Sequence, residues 1–174
     1  ALYYHDNLLM NNYHQTLMGK HNLYNLWFCL KVCKLLNVTL KENILNGFSI
    51  PTFRLNKIYE DDNLTIYNDS KSTNVYSLCS ALDTVNDPGS LIYWIGGGKD
   101  RNDDWSGYLD VLKNIDYAFL FGESSKRISL LLETINVPYK VYSTLDELID
   151  ELIILDKKTI ILFKIGLYIR EISL

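Results

Sequence analysis

Residues 68–74 read Asn-Asp-Ser-Lys-Ser-Thr-Asn, an unbroken polar row. It separates an apolar run with Leu64 and Ile66 from an apolar helical pattern that starts at Val75. A second polar loop, Gly-Gly-Gly-Lys-Asp-Arg-Asn-Asp-Asp-Trp, covers residues 96–105. Between them the two loops carry four carboxylates (Asp69, Asp100, Asp103 and Asp104), two ammonium groups (Lys71 and Lys99), a guanidinium (Arg101) and several hydroxyls. Where such loops open helices, free backbone N–H groups point outward and favour an anion. Cations beside them suit a carboxylate or phosphate guest. Asp, Ser, Thr and Asn are also ordinary helix caps, but seven together, with a lysine among them and a second cationic loop in register, exceed what one cap needs. Neither loop is a nucleotide-phosphate loop of the Gly-x-x-x-x-Gly-Lys-Ser/Thr type: Asp100 follows Lys99, and Tyr93 stands where the first glycine belongs. Leu-Met-Gly-Lys-His-Asn (residues 17–22) fails in the same way, and the dinucleotide pattern Gly-x-Gly-x-x-Gly is absent. The residues alone therefore imply an anion-binding α/β domain.

The elements that must hold these loops follow from periodicity. Leu26, Cys29, Leu30, Cys33 and Leu36 recur at helical spacing, with Asn22 as N-cap and Asn37 as stop. Residues 1–20 read as an irregular or strand-like lead-in, and residues 40–48 as a second short helix. Pro51 lies in a stretch without sustained period, which places a domain boundary near residue 56. Beyond it five strands (Leu-Thr-Ile-Tyr-Asn, Leu-Ile-Tyr-Trp-Ile-Gly-Gly, Tyr-Ala-Phe-Leu-Phe-Gly, Tyr-Lys-Val-Tyr-Ser and Thr-Ile-Ile-Leu-Phe) alternate with four helices. The helix faces are Val75/Leu78/Cys79/Leu82/Val85, Trp105/Tyr108/Leu109/Leu112 and Ile128/Leu131/Leu132/Ile135. The fourth opens with the capping box Thr144–Glu147 and buries Leu145, Leu148, Ile149, Leu152 and Ile153. Continuous apolar strands are covered on both faces. The expected fold is α/β: a doubly wound, mostly parallel, Rossmann-like sheet of five or six strands, preceded by a partial α/β segment. Ligands of such sheets bind at the carboxyl ends of the strands, where both polar loops fall.

Composition narrows the function classes. The 174 residues carry a net charge of −4 with no basic run, which argues against a nucleic-acid surface. No apolar stretch approaches the roughly 18 residues of a membrane span, and residues 1–15 have neither the basic flank nor the apolar centre of a signal peptide. Three cysteines, Cys29, Cys33 and Cys79, form no disulfide framework and suit a reducing cytoplasm. Cys29 and Cys33 read as small buried hydrophobes. His5, His14 and His21 make no metal pattern with them, so no metal ligand is expected here. The chain begins with Ala rather than Met, which reads as a fragment, a processed form or a trimmed chain.

Four stretches, in order, carry a family resemblance. Asn68–Asn74 resembles the N-D-S-K-A-T-N motif that opens the C-terminal domain of the Mur ligases. Leu17–Asn25 resembles their L-x-G-x-H-N-x-x-N, Ser49–Asn56 their G-L-P-H-R-x-E, and Trp94–Trp105 their G-G-x-x-K-x-x-D-F. The pattern is nearest to the D-glutamate-adding branch and spans roughly residues 1–163. The resemblance implies that residues 1–55 end an ATP-binding central domain and residues 56–174 form the amino-acid-binding C-terminal domain. It implies an ATP- and Mg²⁺-dependent amide-forming ligase of peptidoglycan precursor synthesis, cytoplasmic and monomeric. That enzyme would join D-glutamate to UDP-N-acetylmuramoyl-L-alanine through an acyl phosphate, its Mg²⁺ ligands lying outside this stretch. By the same resemblance Asn22, Asn25 and His21 approach the adenine, and Arg54 the ribose or phosphates. Asp69 and Lys71 approach the nucleotide and reacting groups as catalytic residues. Thr73, Arg101 and Lys71 receive D-glutamate. Asp104 and Trp105 cap and pack the following helix.

Three departures accompany the resemblance. Arg101 stands where the family usually has a Lys that pairs with the D-glutamate carboxylate, and the two are not interchangeable. Phe53 stands where the family has His. After Phe163 the family's Ser-Pro-Ala-x-Ala-Ser-x-Asp-x-Phe loop is replaced by Lys-Ile-Gly-Leu-Tyr-Ile-Arg-Glu-Ile-Ser-Leu, which reads as a truncation or a reading-frame shift. Two rivals follow: an inactive remnant of such a ligase, and an unrelated anion-binding α/β domain.

Overall fold

The computed structural model describes residues 1–4, 6–11, 17, 19–49, 51–152 and 158–166. It forms two compact units, Ala1–Pro51 and Thr52–Leu174.

In the first unit, strands β1 (Leu2–Tyr4) and β2 (Asn7–Met10) pair antiparallel, and Leu9 and Met10 are buried. Helix α1 (Lys20–Leu35) starts two residues before the expected Asn22 cap, from Gly19 at φ 82°. Its end is as expected. Asn37 takes a left-handed φ of 52°, the Asn37 N–H donates to the Lys34 carbonyl, and the Val38 N–H donates to the Cys33 carbonyl. That is the paired bonding with which a left-handed residue closes a helix. The apolar face of α1 is not buried: the helix has no buried residue, and Cys29 and Leu36 are exposed. A periodic stripe marks a helix but needs a partner element to cover it. Residues 42–47 form turns instead of a second helix. The amides of Asn43 and Leu45 donate to the carbonyls of Leu8 and Leu9 at 2.7 and 3.0 Å, so β2 takes the bonds a helix would have kept.

The second unit holds β3 (Asn56–Glu60), β4 (Leu64–Asn68), α2 (Val75–Val85), β5 (Leu91–Gly98), a 3₁₀ turn (Ser106–Tyr108) running into α3 (Leu109–Leu112), β6 (Tyr117–Phe121), α4 (Ser125–Thr134), β7 (Tyr139–Tyr142), α5 (Leu145–Asp150) and β8 (Thr159–Gly166). The strands make one six-stranded sheet in the order β3-β4-β8-β5-β6-β7. All neighbours are parallel except β3 and β4. This is the expected doubly wound α/β sheet with one antiparallel edge strand added. β3 escaped the periodicity because four of its five residues are exposed, so it has no buried face to alternate.

Alternation along the strands splits the core. Tyr93, Ile95, Phe119 and Ile161 face one side, with Leu148 of α5 packed among them. Trp94, Leu120 and Leu162 face the other, where α2 and α4 bury Leu78, Leu82 and Leu132. Ile149, expected inside, is 53% exposed. Helix α5 spans only Leu145–Asp150, so a single stripe through Leu145, Leu148 and Leu152 meets the sheet. Ile153 lies outside the described residues. Thr144 Oγ1 accepts from the Glu147 N–H as the capping pattern requires, but Glu147 returns its bond to the Ser143 N–H.

Strand β8 runs three residues beyond the expected end at Phe163, into the stretch where the family pattern is lost. Leu162, fully buried at its centre, reports on this strand's packing. Leu162→Ala is expected to lower unfolding free energy by about 2–5 kcal/mol, read as a lower urea midpoint at unchanged slope; an unchanged midpoint would show that β8 is not part of the cooperative sheet.

Candidate anion-binding cleft

β8 lies between β4 and β5, which brings three strand ends together. Asn68 pairs with Phe163 across β4–β8, and Gly96 pairs with Lys164 across β5–β8. The Asp69 N–H continues the ladder by donating to the Phe163 carbonyl at 2.8 Å. Both polar loops therefore leave from the same end of the sheet. Between them opens a cleft lined by Thr73, Lys99, Arg101, Trp105, Arg127 and Lys164 among others. Its cavity volume is about 40 Å³, and it is open to solvent. That admits one head group such as a carboxylate, and the rest of a ligand would lie at the mouth.

The first loop is held by its own side chains. Asn68 Oδ1 accepts from the Ser70 N–H at 3.0 Å and from Ser70 Oγ at 2.7 Å. Asp69 Oδ1 accepts from the Leu55 N–H at 3.0 Å and from Ser72 Oγ at 2.9 Å. Asn74 caps α2 by accepting from the Ser77 N–H at 2.8 Å. Much of the polar row is thus spent on building the loop. Asp69 is 4% exposed, and burial raises its carboxyl above the usual range against the opposing pull of Lys164.

The second loop owes its shape to glycines. A Cβ on Gly96 would fall 2.2 Å from the Trp94 indole, and one on Gly97, at φ 123°, would fall 1.9 Å from the Phe121 carbonyl oxygen. The run lets the Trp94 ring and β6 approach the strand. Beyond it Arg127 of α4 gathers the loop. Its Nε donates to both oxygens of Asp100, at 3.1 and 2.9 Å, and Nη1 donates to the Asp103 carbonyl at 2.8 Å. The guanidinium holds the Asp100 carboxyl below its ordinary value. Asp104 Oδ1 accepts from the Ser106 N–H and hydroxyl, and Trp105 lies half-buried with its ring 6.1 Å from that of Trp94.

The two loops meet at Arg101, whose Nη1 donates to Thr73 Oγ1 at 3.1 Å. Both line the cleft. Lys71 is exposed and is not in the cleft lining; its N–H donates to the Phe53 carbonyl at 3.0 Å. Arg54 is exposed, flanked by Phe53 and Leu55 at left-handed φ values of 66° and 48°, both tied to the 69–71 loop. Non-glycine residues take that conformation at a cost of about 1–3 kcal/mol each, and only where the surroundings over-determine it. His21, Asn22 and Asn25 lie in the first turns of α1, with Asn25 exposed and the other two half-buried. Sequence reasoning missed Arg127 and Lys164. The signal for Arg127 was a long cation set among the buried Ser125, Ile128 and Ser129 of α4. Lys164 fell in the stretch that departs from the family pattern. Among the described residues no cluster of three His, Cys, Asp or Glu gathers, and no helix is long and apolar enough to cross a membrane.

Arg127→Met should let the Asp100 carboxyl return upward toward its ordinary range, as read by an NMR pH titration. A carboxyl depressed in the folded state stabilises above its unfolded pKa, and that stability is lost as pH falls through the folded value. The variant should therefore lose stability at neutral pH and lose less of it on acidification than the unsubstituted chain; an unmoved Asp100 titration would contradict the pairing.

Comparison with known proteins bears on the guest. A UDP-N-acetylmuramoylalanine–D-glutamate ligase of Hydrogenobaculum sp. is 35% identical over 135 residues, covering 76% of this chain and 32% of its own length. The enzyme so named in Prochlorococcus marinus is 33% identical over 145 residues, covering 79% and 30%. The chain thus spans about a third of the length of the curated relatives it matches. Among solved structures, a UDP-N-acetylmuramate–alanine ligase of Thermotoga maritima superposes with a TM-score of 0.70 at 18% identity, over 86% of this chain and 35% of that one. No protein-family model matches.

Proposed function

This chain belongs to the Mur ligase family, and from that premise we propose that it is the C-terminal part of a ligase adding D-glutamate to UDP-N-acetylmuramoyl-L-alanine, in the cytoplasm and as a monomer. Residues 1–55 then close the ATP-binding central domain, and residues 56–174 present the incoming amino acid. The observation that carries this reading is the Arg101–Thr73 contact across the mouth of the cleft. The two residues that the family resemblance assigns to the D-glutamate carboxylate come from separate loops and touch. Membership of the family removes the unrelated-domain rival.

ATP, when bound, supplies the phosphoryl group that turns the acceptor carboxylate into a better electrophile, with Mg²⁺ ligands outside this stretch. What this chain contributes is alignment and charge neutralisation. Arg101 carries five N–H donors in a fixed fork. One goes to Thr73, and the others are available to a carboxylate in the bidentate geometry that suits it. Lys71, exposed on the first loop and outside the cleft lining, adds positive charge beside it. Arg54 is drawn to the same loop by the bonds of Phe53 and Leu55. Asn22 and Asn25 are three apart on α1 and so share a face. With His21 beside them, they are the residues that the family resemblance assigns to the adenine, and an amide can donate to and accept from its edge.

Titration of the isotope-labelled chain with millimolar D-glutamate tests the reading. Amide shifts should concentrate at residues 69–74 and 96–105, and Arg101→Ala or Thr73→Ala should weaken binding at least about tenfold, ~1.4 kcal/mol. Arg101 is exposed, so its removal should leave the fold unchanged. Saturable shifts located elsewhere, or none at all, would overturn the assignment.

A further inference from the structure

Lys164 is the one lysine of the described residues that is buried, at 6% exposure. It sits on β8, between the two loop-bearing strands. Its Nζ donates to Ser77 Oγ, in the first turn of α2, at 2.7 Å and lies 3.6 Å from Asp69 Oδ2. The second distance is an ion pair rather than a hydrogen bond. Asp69 is already served by the Leu55 N–H and Ser72 Oγ. An ammonium has three donors, and only one is committed here at hydrogen-bonding distance. The same cleft wall includes Trp94 and Trp105, whose buried Nε1 atoms have no acceptor among the described residues. Buried donors are normally paired. A cleft with donors to spare and cations at both depths calls for a guest that only accepts.

We propose that Lys164 is a ligand-binding residue, its ammonium forming the inner end of the cleft and taking an anionic oxygen of the guest while Arg101 holds the mouth. This rests on the reading that the cleft takes an acidic guest, but not on that guest being D-glutamate. A carboxylate and a tetrahedral oxyanion share the required chemistry. The charged and titratable groups around Lys164 are Asp69 from the β4 loop, Cys79 from α2 and Asp103 from the β5 loop, with Lys99, Arg101 and Arg127 also lining the cleft. Burial brings the ammonium down to about 8, with Asp69 opposing, while the Cys79 thiol is pushed up to about 11. A group with a depressed ammonium pKa loses its charge as pH rises through the folded value, and a bound anion would raise that value.

The test uses two probes on the full chain. Sulfate keeps its charge from about pH 7 to about pH 10. Its affinity should fall at least about tenfold over that range, and saturation should raise the Lys164 titration followed at Cε and Nζ by NMR. D-glutamate, measured near pH 7, is the carboxylate probe. Lys164→Met alone leaves Asp69 buried without its partner and is a poor folder, so the substitution is made beside Asp69→Asn. The double variant should bind either probe at least about tenfold more weakly than Asp69→Asn alone. Sulfate affinity flat with pH, with an unmoved Lys164 titration, overturns the proposal and leaves Lys164 an internal counter-ion. D-glutamate bound at Thr73 and Arg101 with Lys164 unmoved has the same meaning while sparing the amino-acid reading. Sulfate bound through Lys164 with D-glutamate ignored overturns the amino-acid reading alone. Failure of both probes to bind overturns both.

Discussion

Insertion of the last strand between the first parallel strand and its successor is the constraint on which the rest of this unit depends. β4 and β5 are consecutive parallel strands by sequence, yet they do not touch, because β8 pairs with both. Parallel strands share one polarity, so all three carboxyl ends fall on one edge. The Asp69 loop, the glycine loop and Lys164 are neighbours for that reason alone. A sheet without β8 would leave the two loops separated by an unfilled strand position. The cleft is a product of topology before it is a product of any side chain.

Charge is arranged around that topology in pairs that hold loops, with some cations left over. Asp100 and Arg127 bind the glycine loop to α4. Asp69 and Lys164 join the loop after β4 to the central strand. The second pair is buried, and removing one partner of a buried pair strands the other charge, which makes it a structural commitment. Arg101 is different: it is exposed, and its guanidinium donates to the hydroxyl of Thr73. The positive charge available for a guest is what remains after the loops have been secured: Arg101 at the mouth and the uncommitted donors of Lys164 within the cleft.

The sequence carried the architecture well and the site in part. Strand β4 spans the expected Leu64–Asn68, and Asn37 stops α1 as expected, by a left-handed turn. Periodicity reads burial on two faces, so it missed β3, an exposed edge with nothing to alternate. It also overrated the α1 stripe and Ile149, since spacing shows which residues share a face but not whether an element covers it. The polar row was correctly marked as unusual, yet its composition overstates its freedom: Asn68, Asp69, Ser72 and Asn74 are consumed within the loop. Arg127 left only the faint signal of a cation among buried neighbours on α4, and Lys164 left none, because the significance of both lies in what topology places opposite them.

Native-state hydrogen exchange along β8 tests the central claim most directly. With a parallel partner on each side, the amides of Ile160, Ile161, Leu162 and Phe163 should open only with the whole sheet and rank among the slowest in the chain. They should exchange far more slowly than those of the edge strand β3. Exchange of the β8 amides at the rate of β3, or faster, would mean that no strand holds the two loops together and that the cleft has no floor.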